Sequence, residues 1–321
     1  MTDLDLLGIF GEAILPIIAI AAAGFVLGRT KSIDPGPLNT AVVYVLAPAL
    51  VFHSLAVTQL AGGTLLRIAA GVLLFTVIMV AIGEAIGRLT GETEPVISAL
   101  ILVIAFTNSG NYGIPVSDFA FGPVGRQTAV VFLTAQAVLV YTVGVYIASR
   151  SGGGSGLEGI RRVLKIPLVY AVIVALLLRA GGLVPPADAA AMEAVQLVGD
   201  SSIPVMLLIL GIQLANTDYG SALSRATKPT LLKMGLAPIV GVGIAVVLGF
   251  EDSTVARVFV LETAMPAAVT PLVLIVEFAG DETIGELTVA EYVSTVILVT
   301  TLVSVPLLTV LIALLQSGVI V

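Results

Sequence analysis

Ten stretches of about 20 mostly apolar residues, each long enough to cross the ~30 Å hydrocarbon core of a bilayer, dominate this chain. They lie near residues 8–28, 37–57, 65–87, 95–119, 124–149, 165–184, 189–214, 230–250, 254–279 and 287–316, between charged or Pro/Gly-rich punctuation. Their sum leaves no room for a soluble fold. The 321 residues are 58% hydrophobic and 11% charged, against roughly 45–50% and 25% for a soluble domain. That much apolar surface cannot be hidden from water in a chain of this size, so soluble enzymes and nucleic-acid-binding proteins are excluded. The chain has no cysteine and a single histidine, His53. Thiol catalysis, disulfides, His-pair zinc sites and bis-His haem therefore fall together, and neither a metal nor another cofactor is expected. The motifs of intramembrane proteases, Gly-x-Gly-Asp and His-Glu-x-x-His, are absent, and no histidine follows Thr107-Asn108-Ser109-Gly110 to act as a base.

Loop charge sets an orientation. With the amino terminus outside, ten Lys and Arg fall on the inner side: Arg29, Lys31, Arg88, Arg150, Arg161, Arg162, Lys165, Arg225, Lys228 and Lys233. Four fall outside, namely Arg67, Arg126, Arg179 and Arg257. Positive loops favour the cytoplasm, so both termini are expected outside a cell membrane. The start Met1-Thr2-Asp3-Leu4-Asp5 carries no basic residue before Arg29, unlike a signal peptide.

The stretch Arg150–Gly156 is a Gly/Ser linker near the middle of the chain, with five spans on each side. Five is odd, so two such halves (1–149 and 165–321, joined by 150–164) insert from opposite faces, as in inverted-repeat carriers. A shift of 156 residues superposes Pro48 on Pro204 and Pro115 on Pro271, in corresponding spans. The expected fold is an all-α polytopic membrane protein of ten spans in a 5+5 inverted repeat.

Two stretches at span centres are poor helix formers: Asn108-Ser-Gly110-Asn111-Tyr112-Gly113-Ile114-Pro115 and Ala264-Met265-Pro266-Ala-Ala-Val269-Thr270-Pro271. Unwound backbone at that depth is tolerated only inside protein or beside a wet cavity. Thr270 reads as an N-cap with Pro271 at the first helical position, and Pro115 starts the other half-helix in the same way. Two positive helix ends then meet at the midplane, where they bind anions without a full cation. The expected substrate site is Asn108, Asn111, Tyr112, Gly113, Ile114, Pro115, Val269, Thr270 and Pro271. The bland alternative is a pair of Pro kinks with asparagines bonding between helices. The recurrence at fixed offset favours the site.

These motifs, with Leu46-Ala-Pro48-Ala-Leu-Val-Phe-His53-Ser-Leu55 in the second span, resemble the auxin efflux carrier family of PIN-like transporters over the whole chain. The resemblance implies a fold shared with bile-acid symporters and Na⁺/H⁺ antiporters, with broken fourth and ninth helices crossing at the midplane. It also implies a scaffold of spans 1, 2, 6 and 7, a moving domain of spans 3–5 and 8–10, homodimers and carboxylate substrates. Asn111 and the crossover prolines carry over as substrate site. The pair Glu84 and Arg88 resembles the family's acidic/basic pair, which supports the substrate with a fifth-span glutamine, here Gln136. The other reading of Glu84 and Arg88 is an interfacial i,i+4 ion pair. Glu262 is either a proton carrier or a snorkelling side chain, and His53 either a packed interface residue or a proton-coupling group.

No paired carboxylates form a cation cage at the midplane, and an inside-negative cell expels anions unaided. Export or electrogenic uniport of a small organic anion is therefore expected, with proton- or sodium-coupled symport as the alternative. A transport-inactive sensor on the same fold is the remaining class.

Overall fold

The structure, a computed structural model, describes residues 15–31, 33–57, 60–150, 167–216, 223–279, 283–284 and 287–321. The linker at 151–164, where the two halves are expected to join, lies outside the described residues, as does the start of the first span. The fold is helical: α1 (Leu15–Lys31), α2 (Gly36–Ala56), α3 (Gly62–Leu89), α4 (Glu94–Ala105), α5 (Ser109–Ser149), α6 (Pro167–Ala180), α7 (Ala190–Asp200), α8 (Ser202–Asn216), α9 (Arg225–Leu248), α10 (Ser253–Thr263), α11 (Thr270–Ala279) and α12 (Val289–Gln316). A two-residue antiparallel pairing of Thr283–Ile284 with Leu287–Thr288 leads into α12, whose start is closed by a Thr288/Glu291 capping box.

Among the described residues six helical segments are long and apolar enough to cross a membrane. By contrast α4, α10 and α11, with 12, 11 and 10 residues, rise only about 15–18 Å each. The fourth and ninth stretches of the sequence are thus pairs of half-helices. Within α5 the chain turns at Gly122, whose φ of 62° and ψ of −151° belong to a region that only glycine enters without strain. Pro123 follows it and starts the return run.

Among the described residues three helices contain wide π turns, α2 at Val42–Leu46, α5 at Ser109–Gly113 and Val140–Gly144, and α9 at Leu231–Leu236. Three of these turns end two residues before a proline: Pro48, Pro115 and Pro238. A proline in a helix lacks the amide donor and collides with the carbonyl four residues back. Opening that turn to i→i+5 bonds moves the carbonyl aside and lets the helix continue. The sequence signal for a break at Pro115 is therefore expressed as a widened turn.

Close packing comes from glycine. A Cβ at Gly24 of α1 would lie 2.3 Å from the Leu208 carbonyl oxygen, and one at Gly211 of α8 would lie 1.9 Å from that of Ala21. Gly28 likewise abuts Ala215. In lipid no hydrophobic force drives helices together, so such backbone approach supplies the contact. Replacing Gly211 by leucine is expected to separate α1 from α8 and to abolish a monodisperse peak in detergent size-exclusion chromatography. An unchanged profile would mean that the interface tolerates several ångströms of separation.

Candidate functional site

The site is built by the backbone of the two interrupted spans. In a continuous helix each amide donates to the carbonyl four residues back. From the Phe106 carbonyl to the Asn108 amide that ladder is replaced by bonds to other segments. Thr107 forms an isolated antiparallel bridge with Ala267. The Asn108 amide donates to the Pro266 carbonyl at 2.8 Å, and the Ala268 amide donates to the Phe106 carbonyl at 3.1 Å. The Ala267 amide donates to Thr300 Oγ1 at 3.2 Å.

Gln136 completes the crossing. Its Oε1 accepts from the Thr107 amide at 3.0 Å and from Thr107 Oγ1 at 2.9 Å, while its Nε2 donates to the Thr107 carbonyl and to Ser109 Oγ, both at 2.8 Å. The side-chain amide imitates a strand neighbour for one residue of unwound chain. Buried backbone polar groups in an apolar surrounding need such partners.

The half-helix starts differ from expectation by six residues in the first and one in the second. On the first, Asn108 is the N-cap and Ser109 opens the helix. The first helical donor is Gly113, bonded to the Asn108 carbonyl, so the amides of Ser109, Gly110, Asn111 and Tyr112 precede it. Pro115 sits inside the helix, because the π turn absorbs its missing donor. On the second, α11 begins at Thr270, and the carbonyl of Val269 accepts from Leu272 and Val273. Val269 is therefore the cap, Thr270 the first helical residue and Pro271 the second.

Both starts open on one cavity of ≈ 430 Å³. Asn108, Gly110, Asn111, Val269 and Thr270 line it, with Phe106, Thr107, Ala268 and Gln136 from the crossing itself. Not one charged side chain is among its lining residues. Asn108 is 5% exposed, and its Nδ2 has no hydrogen-bond partner. A buried amide donor left open costs about 1–3 kcal/mol, and this one belongs to a residue that lines the cavity.

Tyr112, Gly113, Ile114, Pro115 and Pro271 are not among the residues that line this cavity. The turn of Ser109–Gly113 has two sides. Asn111 faces the cavity, whereas Tyr112 is buried with its hydroxyl 3.4 Å from Ser304 Oγ of α12. A Cβ on Gly113 would lie 2.3 Å from Glu262 Oε2, so a carboxyl fills the place of a side chain. Glu262 is fully buried, accepts from Ser117 Oγ at 2.7 Å through Oε1, and leaves Oε2 without a partner. It does not snorkel.

Glu84 and Arg88 lie elsewhere. Arg88 Nε donates to Glu84 Oε1 at 2.6 Å, and Arg150 Nη1 donates to Oε2 at 2.8 Å. Glu94 joins through Arg150 at 2.8 Å. The hydrogen bond to Glu84 pushes the Arg150 pKa above its ordinary value, which keeps this group charged. The cluster ties α3, α4 and the end of α5 together. Gln136 is bonded to the crossing, so the expected trio of Glu84, Arg88 and Gln136 is not assembled. The interfacial ion pair is the better description of the first two.

His53 lies within electrostatic range of Asp200 and Arg126. Arg126 bridges Asp118 of its own helix and Asp200 of α7. His53 is not among the cavity residues.

The sequence reading missed several cavity residues: Asn39, Thr40 and Tyr44 of α2, Tyr141 of α5 and Gln213 of α8. Each is a polar residue in an apolar span, a signal available beforehand but without a partner to give it direction. It also counted Lys233 as a loop charge. Lys233 is fully buried inside α9, flanked by Leu231, Leu232 and Met234. The inward bias remains, nine against four.

A family model described as "Membrane transport protein" matches residues 9–159 and again 156–312. The two matches cover most of the chain and meet at the Gly/Ser linker. An "Uncharacterized transporter" of Methanothermobacter thermautotrophicus (strain Delta H) is 27% identical over 276 residues, which is 83% of this chain and 88% of that relative. Together with a helical fold rich in apolar spans, these matches identify a multi-pass membrane transporter and not an enzyme: the chain belongs to the membrane transport protein family, that of the auxin efflux carriers.

Proposed function

We propose that the protein is a secondary transporter that carries a small organic anion, a carboxylate, by elevator-type alternating access. On this reading the ten spans form a 5+5 inverted repeat. Spans 3–5 and 8–10 move against a scaffold of spans 1, 2, 6 and 7 in a homodimer, and both termini lie outside the cell membrane. The observation that carries the anion reading is the open Nδ2 donor of Asn108 on the wall of an uncharged cavity. Beside it lie the free amides at the starts of α5 and α11. Such donors favour a group that accepts hydrogen bonds and carries negative charge.

Direction follows from charge. One elementary charge crossing 100 mV gains or loses ~2.3 kcal/mol, about a forty-fold bias in an equilibrium where 1.4 kcal/mol is tenfold. An inside-negative cell therefore drives a monovalent anion outward with no co-ion.

Glu262 favours the second reading, proton-coupled symport, because a buried carboxyl with one unpartnered oxygen is a place for a proton. One experiment separates the two. In proteoliposomes offered benzoate, acetate and succinate in turn, an imposed potential is expected to change flux strongly at equal pH on both sides. Flux that follows a pH gradient and ignores the potential would replace uniport by symport.

A further inference from the structure

Among the described residues Lys233 is the one fully buried cation, and the transport reading leaves it unused. It lies in the wide turn Leu231–Leu236 of α9. Its described partners are the carbonyl of Ile104, to which Nζ donates at 3.2 Å, and the Phe75 ring, whose centroid lies 5.5 Å away. Among the described residues no carboxylate forms an ion pair with it. In a continuous helix the Ile104 carbonyl would accept from the Asn108 amide, four residues on. That amide is instead given to Pro266.

We infer that Lys233 is a positioning residue for the anion site: its ammonium takes the place of the Asn108 amide at Ile104, which frees residue 108 to face the cavity. The same charge sits behind the crossing and makes the neutral cavity electropositive. A carbonyl at the end of a half-helix carries partial negative charge, so it is a suitable seat for a buried cation. The Phe75 face supplies a second one. The inference rests on the reading of the cavity as an anion site and adds the source of its charge.

The absence of native cysteine permits a direct measurement of potential in the cavity. Gly110 lines it, and a side chain there would touch only Leu133, at 3.7 Å. The Gly110→Cys protein in detergent is reacted with anionic methanethiosulfonate ethylsulfonate and with its cationic trimethylammonium analogue. The ratio of rates is normalised to that of a small free thiol. With Lys233 present, a normalised anionic preference is expected. Lys233→Gln should lower it at least about fivefold, as one charge at low effective dielectric requires, and Lys233→Arg should restore it.

A ratio no higher than that of free thiol with Lys233 in place would overturn the inference, and this arm needs no folding of the glutamine variant. So would a ratio unchanged in a monodisperse Lys233→Gln protein. The anion reading fails separately: transport indifferent to Asn108 with the thiol ratio intact would sink the binding site and leave the charge of Lys233 standing.

Discussion

Asn108→Asp is expected to reduce carboxylate flux by roughly a hundredfold or more, while the protein keeps its size-exclusion profile. The change is isosteric, so packing around the crossing is preserved. It exchanges an unpartnered side-chain donor on the cavity wall for an acceptor and adds a negative charge beside the anion. Losing a hydrogen bond to a charged group accounts for about 1.5–3 kcal/mol, and repulsion of like charges adds to it. Asn108→Ala removes the donor without the repulsion and should lie between the two, about ten- to a hundredfold below the unsubstituted protein. Asn111→Ala should weaken binding while folding is kept. The measurement is uptake of labelled benzoate or succinate into proteoliposomes, scored beside thermal stability in detergent. If the aspartate variant transported at the normal rate, the substrate would not be an anion held at this residue.

Gln136→Leu should be the most destabilising single substitution in the crossing. Leucine nearly matches the volume of glutamine but makes none of its four hydrogen bonds. The amide of Thr107 would then be buried unsatisfied, at about 1–3 kcal/mol, and its carbonyl would keep only Ser109 Oγ, at 3.3 Å. The expected loss of about 2–4 kcal/mol is a large share of the margin by which a typical fold is stable. Gln136→Leu is therefore expected to aggregate on extraction. Gln136→Glu keeps the geometry of an acceptor but not the two donors, and should fall between. A Gln136→Leu protein that ran as a normal peak and transported would show that the unwound segment finds other partners, so the glutamine would not be its clamp.

The membrane character of the chain was legible in composition and run length because both report a single demand. Backbone and side chains in hydrocarbon must be apolar or internally satisfied, and that demand acts on every residue of a span independently of what packs against it. The interruptions were legible for a similar reason. Gly110, Gly113 and Pro115, or Pro266 and Pro271, oppose a helix by local chemistry alone. Even there the local rules misplaced the starts. The π turn at Ser109–Gly113 moved the first half-helix back to Ser109, because a widened turn accommodates Pro115 as well as a break does.

Which side of the broken segment faces the cavity was not legible. Tyr112 and Asn111 are neighbours in the chain, yet one reaches Ser304 and the other the cavity. The choice depends on α12 and α10, which come close only after folding. The roles of Gln136 and Lys233 share that property. One was assigned beside Glu84 and the other to a loop, since nothing near them in sequence reveals that the end of α4 and the unwound chain after it are their partners.

The sequence alone determined that this chain crosses a bilayer many times and interrupts two of its spans, since apolar transfer and proline geometry are properties of short segments. Only the tertiary structure decided that the interruptions pair with each other, that Asn108 is left with a free donor, and that a lysine lies buried behind it. Hydrogen-bond satisfaction in a dry interior is a property of the whole fold: each unwound amide or carbonyl takes whichever donor or acceptor the packing brings, regardless of its distance along the chain.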